Sequence, residues 1–147
     1  MTATFADYAA QQDARNTIQL NVRKWTLMLC DALVKNYIDY SIKSHQHRVY
    51  QEVNVDYHQA CIEELKNGQC GYEFYPETGR KYHKLIMETN TGSRSVHAFV
   101  DKKTGELYKS ASWKSPAKGV RYDLRIIEQR EWLLQHADWA GGYLYTR

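Results

Sequence analysis

Alternating apolar and polar side chains between Tyr82 and Ala111 constrain the fold of this chain more than any other feature. In the centre of this stretch Val96, Ala98 and Val100 occupy every second position, which is the period of a strand buried mainly on one face. Two turns, each containing a glycine that can adopt positive φ, separate this strand from apolar segments on either side. The pattern predicts three consecutive antiparallel strands connected as a meander.

The second of these turns also predicts how two of the strands pair. An acid stands on each side of the turn, and with Asp101 opposite Glu106 the register pairs Phe99 with Tyr108. We expect one face of this pair of strands to be buried. The apolar residues that share this face in the predicted register are Val96, Val100, Leu107 and Ala111.

Helical periodicity dominates the chain before the sheet. Apolar residues recur at spacings of three and four over residues 16–43, which predicts a long helix preceded by an arm or short helix at 1–15. Shorter patterns of the same kind predict a second helix over 56–66 and a third over 124–137. A brief alternating segment around Phe74 adds a fourth strand before the meander.

The predicted fold is therefore α+β: a three- to four-stranded antiparallel meander sheet packed against a long N-terminal helix, with two further helices. A length of 147 residues fits a single domain with one core. The predicted parts of this domain are an arm at 1–15, a helical part at 16–68, an antiparallel sheet at 69–114, and a loop, helix and C-terminal tail at 115–147.

Composition limits the functional classes. The net charge of +3 is well below the imbalance of a dedicated nucleic-acid binder. The 12 tyrosines and 4 tryptophans suit half-buried surfaces and interfaces, but also a core built with Tyr in place of Phe. Three cysteines without a close pair, and no secretory signal, predict reduced thiols in a cytosolic protein. No apolar run approaches the length of a membrane span, so we expect no membrane partner.

Common catalytic and metal-binding motifs are missing from the sequence. Phosphate-binding glycine loops, paired-cysteine and HExxH metal motifs and the nucleophile elbow do not occur, so the sequence predicts no cofactor and no metal site and favours a non-enzymatic protein. His45 and His47 could bind a metal from one face of a strand, but a solvated connector is favoured because no third ligand stands nearby. A weaker alternative is a metal-dependent nuclease that uses Glu88, Asp101, Glu106 and Lys109.

Positive charge and aromatic rings are interleaved from residue 102 to 125. Seven basic residues fall in this stretch, together with Tyr108, Trp113 and Tyr122. Basic side chains contact phosphates while aromatic rings stack on bases, which is the combination used for single-stranded nucleic acid. The alternative is a solvated hairpin tip followed by a loop in which Trp113 is buried. The residues predicted to bind nucleic acid are Tyr108, Lys109, Trp113, Lys114, Lys118, Arg121 and Arg125.

Two segments resemble a known group of proteins. The run SVHAFVDKKTGELYKSASWKSPAKGVRYDL at 95–124 and the ending GGYLYTR are similar to small uncharacterised proteins encoded by bacteriophages, including phages of marine bacteria. The resemblance covers roughly 82–124 and the tail, and it carries no activity and no functional residue. It implies a viral accessory or virion-associated protein that acts in a bacterial host.

These observations lead to three functional hypotheses. The first is a non-enzymatic phage protein that binds a macromolecule, with nucleic acid as the named candidate, through the basic and aromatic segment. The second is a protein–protein interaction or virion-associated module that forms a homodimer through the long helix and its aromatic residues. The third is the small nuclease. We expect the protein in the host cytoplasm or in the virion.

Overall fold

The protein folds into three helices and a five-stranded sheet, as seen in a computed structural model that describes residues 4–146. The helices are α1 (Phe5–Tyr50), α2 (Val55–Lys66) and α3 (Ile127–His136), and a short 3₁₀ helix follows at Gly142–Leu144. The strands are β1 (Tyr72–Thr78), β2 (Tyr82–Thr89), β3 (Arg94–Asp101), β4 (Glu106–Lys109) and β5 (Tyr122–Asp123). Residues 1–3 and 147 lie outside the described residues, and with them the start of the predicted arm and the last residue of the GGYLYTR ending.

All five strands pair antiparallel with their neighbours in chain order. The predicted α+β class, with a meander sheet against a long N-terminal helix and two further helices, is confirmed. The sheet gains a fifth strand because Arg121 N donates to Leu107 O at 2.8 Å and brings the chain back beside β4. The predicted pairing of Phe99 with Tyr108 is also confirmed.

Helix α1 is one element of 46 residues, roughly 69 Å long at 1.5 Å per residue. A capping box starts it: Asp7 N donates to Thr4 Oγ1 at 3.2 Å, and Thr4 N donates to the Asp7 carboxylate at 3.3 Å. The predicted span of 16–43 is therefore too short at both ends. His45 and His47 lie on the helix and not in a connector, and His45 Nδ1 is 2.7 Å from His58 Nδ1 on α2.

A single stripe of α1 joins the helix to the sheet. Its fully buried residues recur at spacings of four, three and four, and the buried Thr26 hydroxyl is satisfied by donating to Val22 O at 2.7 Å. We call the sheet face that this stripe covers the inner face. Helix α3 and the C-terminal segment pack into the same core. The core residues from these parts of the chain are Val22, Leu29, Leu33, Leu85, Ala98, Val100, Leu107, Leu133, Tyr143 and Leu144.

A β-bulge changes which side chains of β3 point inward. Leu85 pairs with Ala98, whereas Ile86 pairs with Val96, so His97 is the extra residue in β3. Its ring packs edge-on against Phe74 in the core at a centroid distance of 5.6 Å. The predicted buried face is therefore wrong at Val96, which is half-buried and opposite Ile86.

The same prediction is wrong at the end of β4 for a different reason. Ala111 lies two residues beyond the end of β4 and is exposed, since the chain there turns into a loop and no longer lies on the sheet. The other two residues of the predicted face, Val100 and Leu107, are fully buried in the core.

The second face of the sheet, which we call the outer face, is not part of the α1 core. Ile86 and Phe99 are fully buried on this face although neither belongs to the core cluster. The contacts around Phe99 come from Tyr82 and Lys84 of the neighbouring strand, and Lys84 also contacts Trp113 from the loop after β4. Side chains of the sheet and one loop therefore cover the outer face.

We predict that the α1 stripe carries a large part of the folding free energy. Leu29→Ala leaves a cavity against the inner face and should lower the free energy of unfolding by about 2–5 kcal/mol. Leu20→Ala is the matched control on the same helix, because Leu20 is exposed, and should change it by less than about 0.5 kcal/mol. Urea unfolding measures both, and equal effects would contradict the packing of α1 on the sheet.

We also predict a pH dependence from His97. Burial lowers the pKa of His97 from 6.5 to about 4, with a small opposing effect from Asp138. The unfolded chain therefore binds a proton at a higher pH than the folded chain does. The stabilising contribution is complete above about pH 6.5 and is lost as the pH falls to about 4, by roughly 3 kcal/mol in total.

Unfolding free energies of the wild type and His97→Gln, measured across this pH range, test the assignment. The difference between the two proteins removes the contribution of the carboxylates and of the other histidines. We expect this difference to shrink as the pH falls, and a difference independent of pH would show that His97 is not buried in its neutral form.

Candidate nucleic-acid interface

Basic side chains cluster where the β1–β2 turn meets the β3–β4 turn. Two hydrogen bonds join these turns: Lys102 N donates to Lys81 O at 3.0 Å, and Lys102 Nζ donates to Gly79 O at 2.8 Å. Leu124 N donates to Gly105 O at 2.9 Å, which brings the residue after it to the same end of the sheet. We call this end the basic end, and its cations are Arg23, Arg80, Lys81, Lys102, Lys103 and Arg125.

Helix α1 and the two turns enclose a groove of about 430 Å³ at the basic end. His83 lies in it and its Nδ1 is 2.8 Å from Thr78 Oγ1. Burial, then the positive charges of Lys102 and Arg23, lower the pKa of His83. No acidic side chain lines the groove, which suits it to a phosphate group. The lining residues are Asn16, Gln19, Leu20, Arg23, Thr78, His83 and Lys102.

Among the described residues, no ion pair neutralises the cations of the basic end. Within residues 4–146 the salt bridges all belong to Arg94, which pairs with Glu77 and Glu88 on the outer face. Asp101 is buried at the basic end, where its carboxylate accepts from the backbone N–H groups of Lys103 and Thr104 at 2.9 and 3.2 Å. These two hydrogen bonds from the turn stabilise the negative charge of Asp101. The remaining acids nearby, Glu106 and Asp123, face each other across β4 and β5.

Cationic and aromatic side chains form a continuous row across the outer face, starting at the basic end. Lys81 Nζ lies 5.3 Å from the centre of the Tyr82 ring, and that ring packs edge-on against Phe99 at 5.6 Å. Lys84 Nζ then lies between Phe99 and Trp113, at 5.9 and 4.7 Å. We call this set the cation–aromatic row, and its members in spatial order are Lys81, Tyr82, Phe99, Lys84, Trp113, Arg94 and Tyr75.

Two acidic residues, Glu77 and Glu88, lie beside the far half of the row. The Arg94 guanidinium lies 5.4 Å from the Trp113 ring and donates to Tyr75 Oη at 3.1 Å. Tyr75 Oη in turn donates to Glu88 at 2.7 Å, and Arg94 also pairs with Glu77. Arg94 and the two carboxylates together carry a formal charge of −1, so the electrostatic attraction for a polyanion lies at the basic end and the stacking surface lies beyond it.

The structure places the predicted nucleic-acid residues at several locations. Tyr108 and Trp113 lie on the outer face, where Tyr108 packs edge-on against Tyr82 at 6.1 Å. Lys109 is the next residue on the strand and points to the other side, with its Nζ 4.8 Å from the Tyr145 ring. Arg125 belongs to the basic end. These residues are therefore not one surface, and their role in binding stays a prediction.

The loop between β4 and β5 carries the other three predicted residues. Lys114 and Lys118 are exposed. Arg121 instead holds the C-terminal segment: its Nε donates to Leu144 O at 2.8 Å, and its Nη1 donates to the carbonyls of Lys118 and Gly119 at 3.2 Å. Most of its hydrogen-bonding capacity is used inside the protein.

Apart from Arg125, the cations of the basic end were missing from the site predicted from the sequence. In a meander, alternate turns lie at the same end of the sheet, so the positions of Arg80 and Lys81 next to Lys102 were readable from the predicted strand order. No feature of the sequence predicts that Arg23 lies near these residues, because only the packing of α1 on the sheet brings Arg23 to the groove. The same is true of Arg94, whose contact with Trp113 depends on how the loop folds back.

The carboxylates of the nuclease alternative do not converge. Glu88 lies near the start of β3, opposite Arg94, whereas Asp101 ends β3 and Glu106 begins β4. The seven-residue separation from Arg94 to Asp101 corresponds to roughly 23 Å along an extended strand. No group of three metal-ligating His, Cys, Asp or Glu side chains occurs in the described part of the chain.

The structure defines an α+β protein with helices on one face of a meander sheet, cationic and aromatic side chains on the other face, and a cluster of cations at one end of the sheet. Residues 5–146 match a family described as a family of unknown function (DUF7717), and the chain belongs to that family. No curated protein and no solved structure shows a significant match. None of the helices within residues 4–146 combines the length and apolar character needed to span a membrane.

Proposed function

We propose that this protein binds single-stranded nucleic acid without catalysing a reaction on it. The basic end would contact the phosphates, and the cation–aromatic row would receive the bases. The observation that carries the proposal is the convergence of six cations, from separate segments of the chain and free of ion pairs within residues 4–146, beside a row of aromatic rings. Such a combination favours a polyanion that also has flat, stackable faces.

A single strand fits this surface better than a duplex. Bases of a duplex are stacked on one another, so their faces are not available to Tyr82 or Trp113, whereas unpaired bases can lie on such rings. Trp113 is 42% exposed although Lys84 and Arg94 contact its ring, so part of the ring is free for a base. Binding that depends on stacking and phosphate contacts would tolerate many sequences.

The cellular setting is part of the same proposal. The resemblance of 95–124 to small bacteriophage proteins supports a phage accessory role, with viral or host nucleic acid as the partner in the bacterial cytoplasm. A virion-associated protein that contacts the packaged genome would use the same surface.

We predict that removing two charges from the basic end weakens binding in a salt-dependent way. Arg23→Gln combined with Lys102→Gln should lower the affinity for a labelled oligothymidylate of about 15 nucleotides about tenfold at low salt. The slope of log K against log salt should fall by about 1.4, the value for two phosphate contacts on a single strand. Fluorescence anisotropy across a salt series gives both quantities.

Arg48→Gln combined with Lys66→Gln is the control for net charge. It removes two cations as well, but from the region where the end of α1 meets α2, and Arg48 is roughly 37 Å along the helix from Arg23. Equal losses in the two double variants would show that binding follows net charge alone and would refute the basic end as the site.

Replacing Trp113 tests the proposed stacking of bases on the aromatic rings of the outer face. Trp113→Leu should cost about 1–3 kcal/mol of binding free energy and leave the salt slope unchanged. Trp132→Leu is a matched control, because Trp132 is 43% exposed but lies on α3, away from the outer face. If both variants bind like the wild type, the bases do not stack on the outer face.

The start of α1 favours a second candidate, self-association. The first buried residue of the helix is Val22, so its opening turns have little to pack against, and Phe5 is 85% exposed. The aromatic rings farther along the helix are already used within the protein: Trp25 contacts Arg130 at 4.1 Å, and Tyr37 stacks on Tyr72 at 4.0 Å. An interface between two copies would therefore involve the exposed beginning of the helix.

We predict that Phe5→Ser lowers the apparent mass in light scattering from dimer to monomer if this candidate is correct. Tyr50→Ser is the control, because Tyr50 is 86% exposed at the other end of the same helix and should have no effect. A wild-type protein that is monomeric at all accessible concentrations would eliminate this candidate.

A further inference from the structure

We propose that a second site, at the opposite end of the sheet from the basic end, binds a small organic anion, either a carboxylate or a phosphate monoester. The site is a cavity of about 350 Å³ between β3, β4 and the C-terminal segment, which places it within the size range of small-molecule pockets. It shares no lining residue with the groove at the basic end. The residues that carry the argument are Met87, His97, Lys109, Trp139, Leu144 and Tyr145.

The hydrogen bond between His97 and Tyr143 determines which nitrogen of the imidazole carries its proton. His97 Nε2 is 2.7 Å from Tyr143 Oη. The Tyr143 ring is buried, and burial raises the pKa of Tyr143 well above its ordinary value, so the phenol keeps its proton. His97 Nε2 is the acceptor available to this hydroxyl within residues 4–146, so Tyr143 donates to it. The neutral imidazole then carries its proton on Nδ1.

The protonated Nδ1 of His97 is assigned to the cavity by elimination. It has no hydrogen-bond partner among residues 4–146, and no fully buried side-chain nitrogen in that range is left without a partner. Nδ1 must therefore contact open space, and His97 lines this cavity. An N–H donor on a mostly buried ring that opens into a cavity is a fixed recognition group for an acceptor.

Lys109 supplies positive charge at the same cavity. Its Nζ lies 4.8 Å from the Tyr145 ring and makes one long contact, 3.4 Å, with Ser110 O. Most of its donor capacity is thus unused. Asp138, whose charge acts on His97, does not line the cavity, and its two oxygens accept from the backbone N–H groups of Gly142 and Tyr143 at 3.0 and 3.1 Å. The donors are therefore arranged for an anion and not for a cation.

The apolar side chains that line the rest of the cavity favour an organic anion over inorganic phosphate. Met87 and Leu144 belong to or pack against the hydrophobic core, and Trp139 adds an aromatic wall. A ligand that places its charged group on His97 Nδ1 and Lys109 can bury an apolar body against these side chains. An aromatic ring carrying a carboxylate or a phosphate has this form.

The experiment uses the full chain labelled with ¹⁵N and two probes, benzoate and phenyl phosphate. Imidazole ¹⁵N shifts of free protein should show the Nδ1-protonated tautomer at His97, and titration with at least one probe should move these shifts in a saturable way. Lys109→Gln should weaken that probe at least about tenfold. Lys118→Gln removes an exposed cation of the loop that does not line the cavity and should leave the affinity unchanged.

The two probes distinguish the two forms of the anion. Tighter binding of benzoate assigns the site to carboxylates, and tighter binding of phenyl phosphate assigns it to phosphate monoesters. The proposal is overturned if His97 is protonated on Nε2, if neither probe shifts His97, if Lys109→Gln binds like the wild type, or if phenyl phosphate perturbs His83 and not His97. Loss of oligonucleotide binding in the basic-end variants has no bearing on this result.

Discussion

The packing of one stripe of α1 against the inner face of the sheet determines where α3, the C-terminal segment and the side chains of the outer face can lie. Leu29 and Leu33 are fully buried in that contact, and α3 and the C-terminal segment complete the same layer. No helix within residues 4–146 covers the outer face, yet Ile86 and Phe99 on that face are also removed from water. Long side chains of the sheet, together with Trp113 from the loop after β4, cover this face instead.

This requirement explains the cation–aromatic row. Lysine and arginine have apolar stems that can lie on hydrophobic side chains while their charged ends remain at the surface, and tyrosine and tryptophan do the same with their rings. Lys84 between Phe99 and Trp113 is an example. Covering the outer face in this way produces a surface that is both charged and aromatic, so the side chains that stabilise the sheet are also the ones that the proposed partner would contact.

The sequence was sufficient for the parts of the fold that depend on local periodicity. The period of two around Val100 and the turn after Asp101 predict the strands and the pairing of Phe99 with Tyr108, because neighbours in a meander are also neighbours in the chain. The extra residue at His97 could not be predicted, since a bulge leaves the alternation of apolar residues almost unchanged. It nevertheless decides that this imidazole enters the core and reaches Tyr143.

The candidate site was harder to predict because the count of charges along a segment does not show what each charge does. Arg121 belongs to the basic stretch of the sequence, but its guanidinium binds backbone carbonyls. Arg23 is far from that stretch and yet lies beside His83 and Lys102. Charge density at a surface follows from tertiary packing, and the helix that supplies Arg23 is placed by its buried stripe and not by its charged residues.

The most direct test of a phosphate site at the basic end is the pKa of His83 measured by NMR with and without saturating oligonucleotide. In the free protein burial, Lys102 and Arg23 together hold this pKa below 6.5. A phosphate bound between the two cations would offset their charge, so the pKa of His83 should rise when the strand is bound. An unchanged pKa in a protein that is demonstrably saturated with oligonucleotide would contradict the account, because the phosphates would then lie elsewhere.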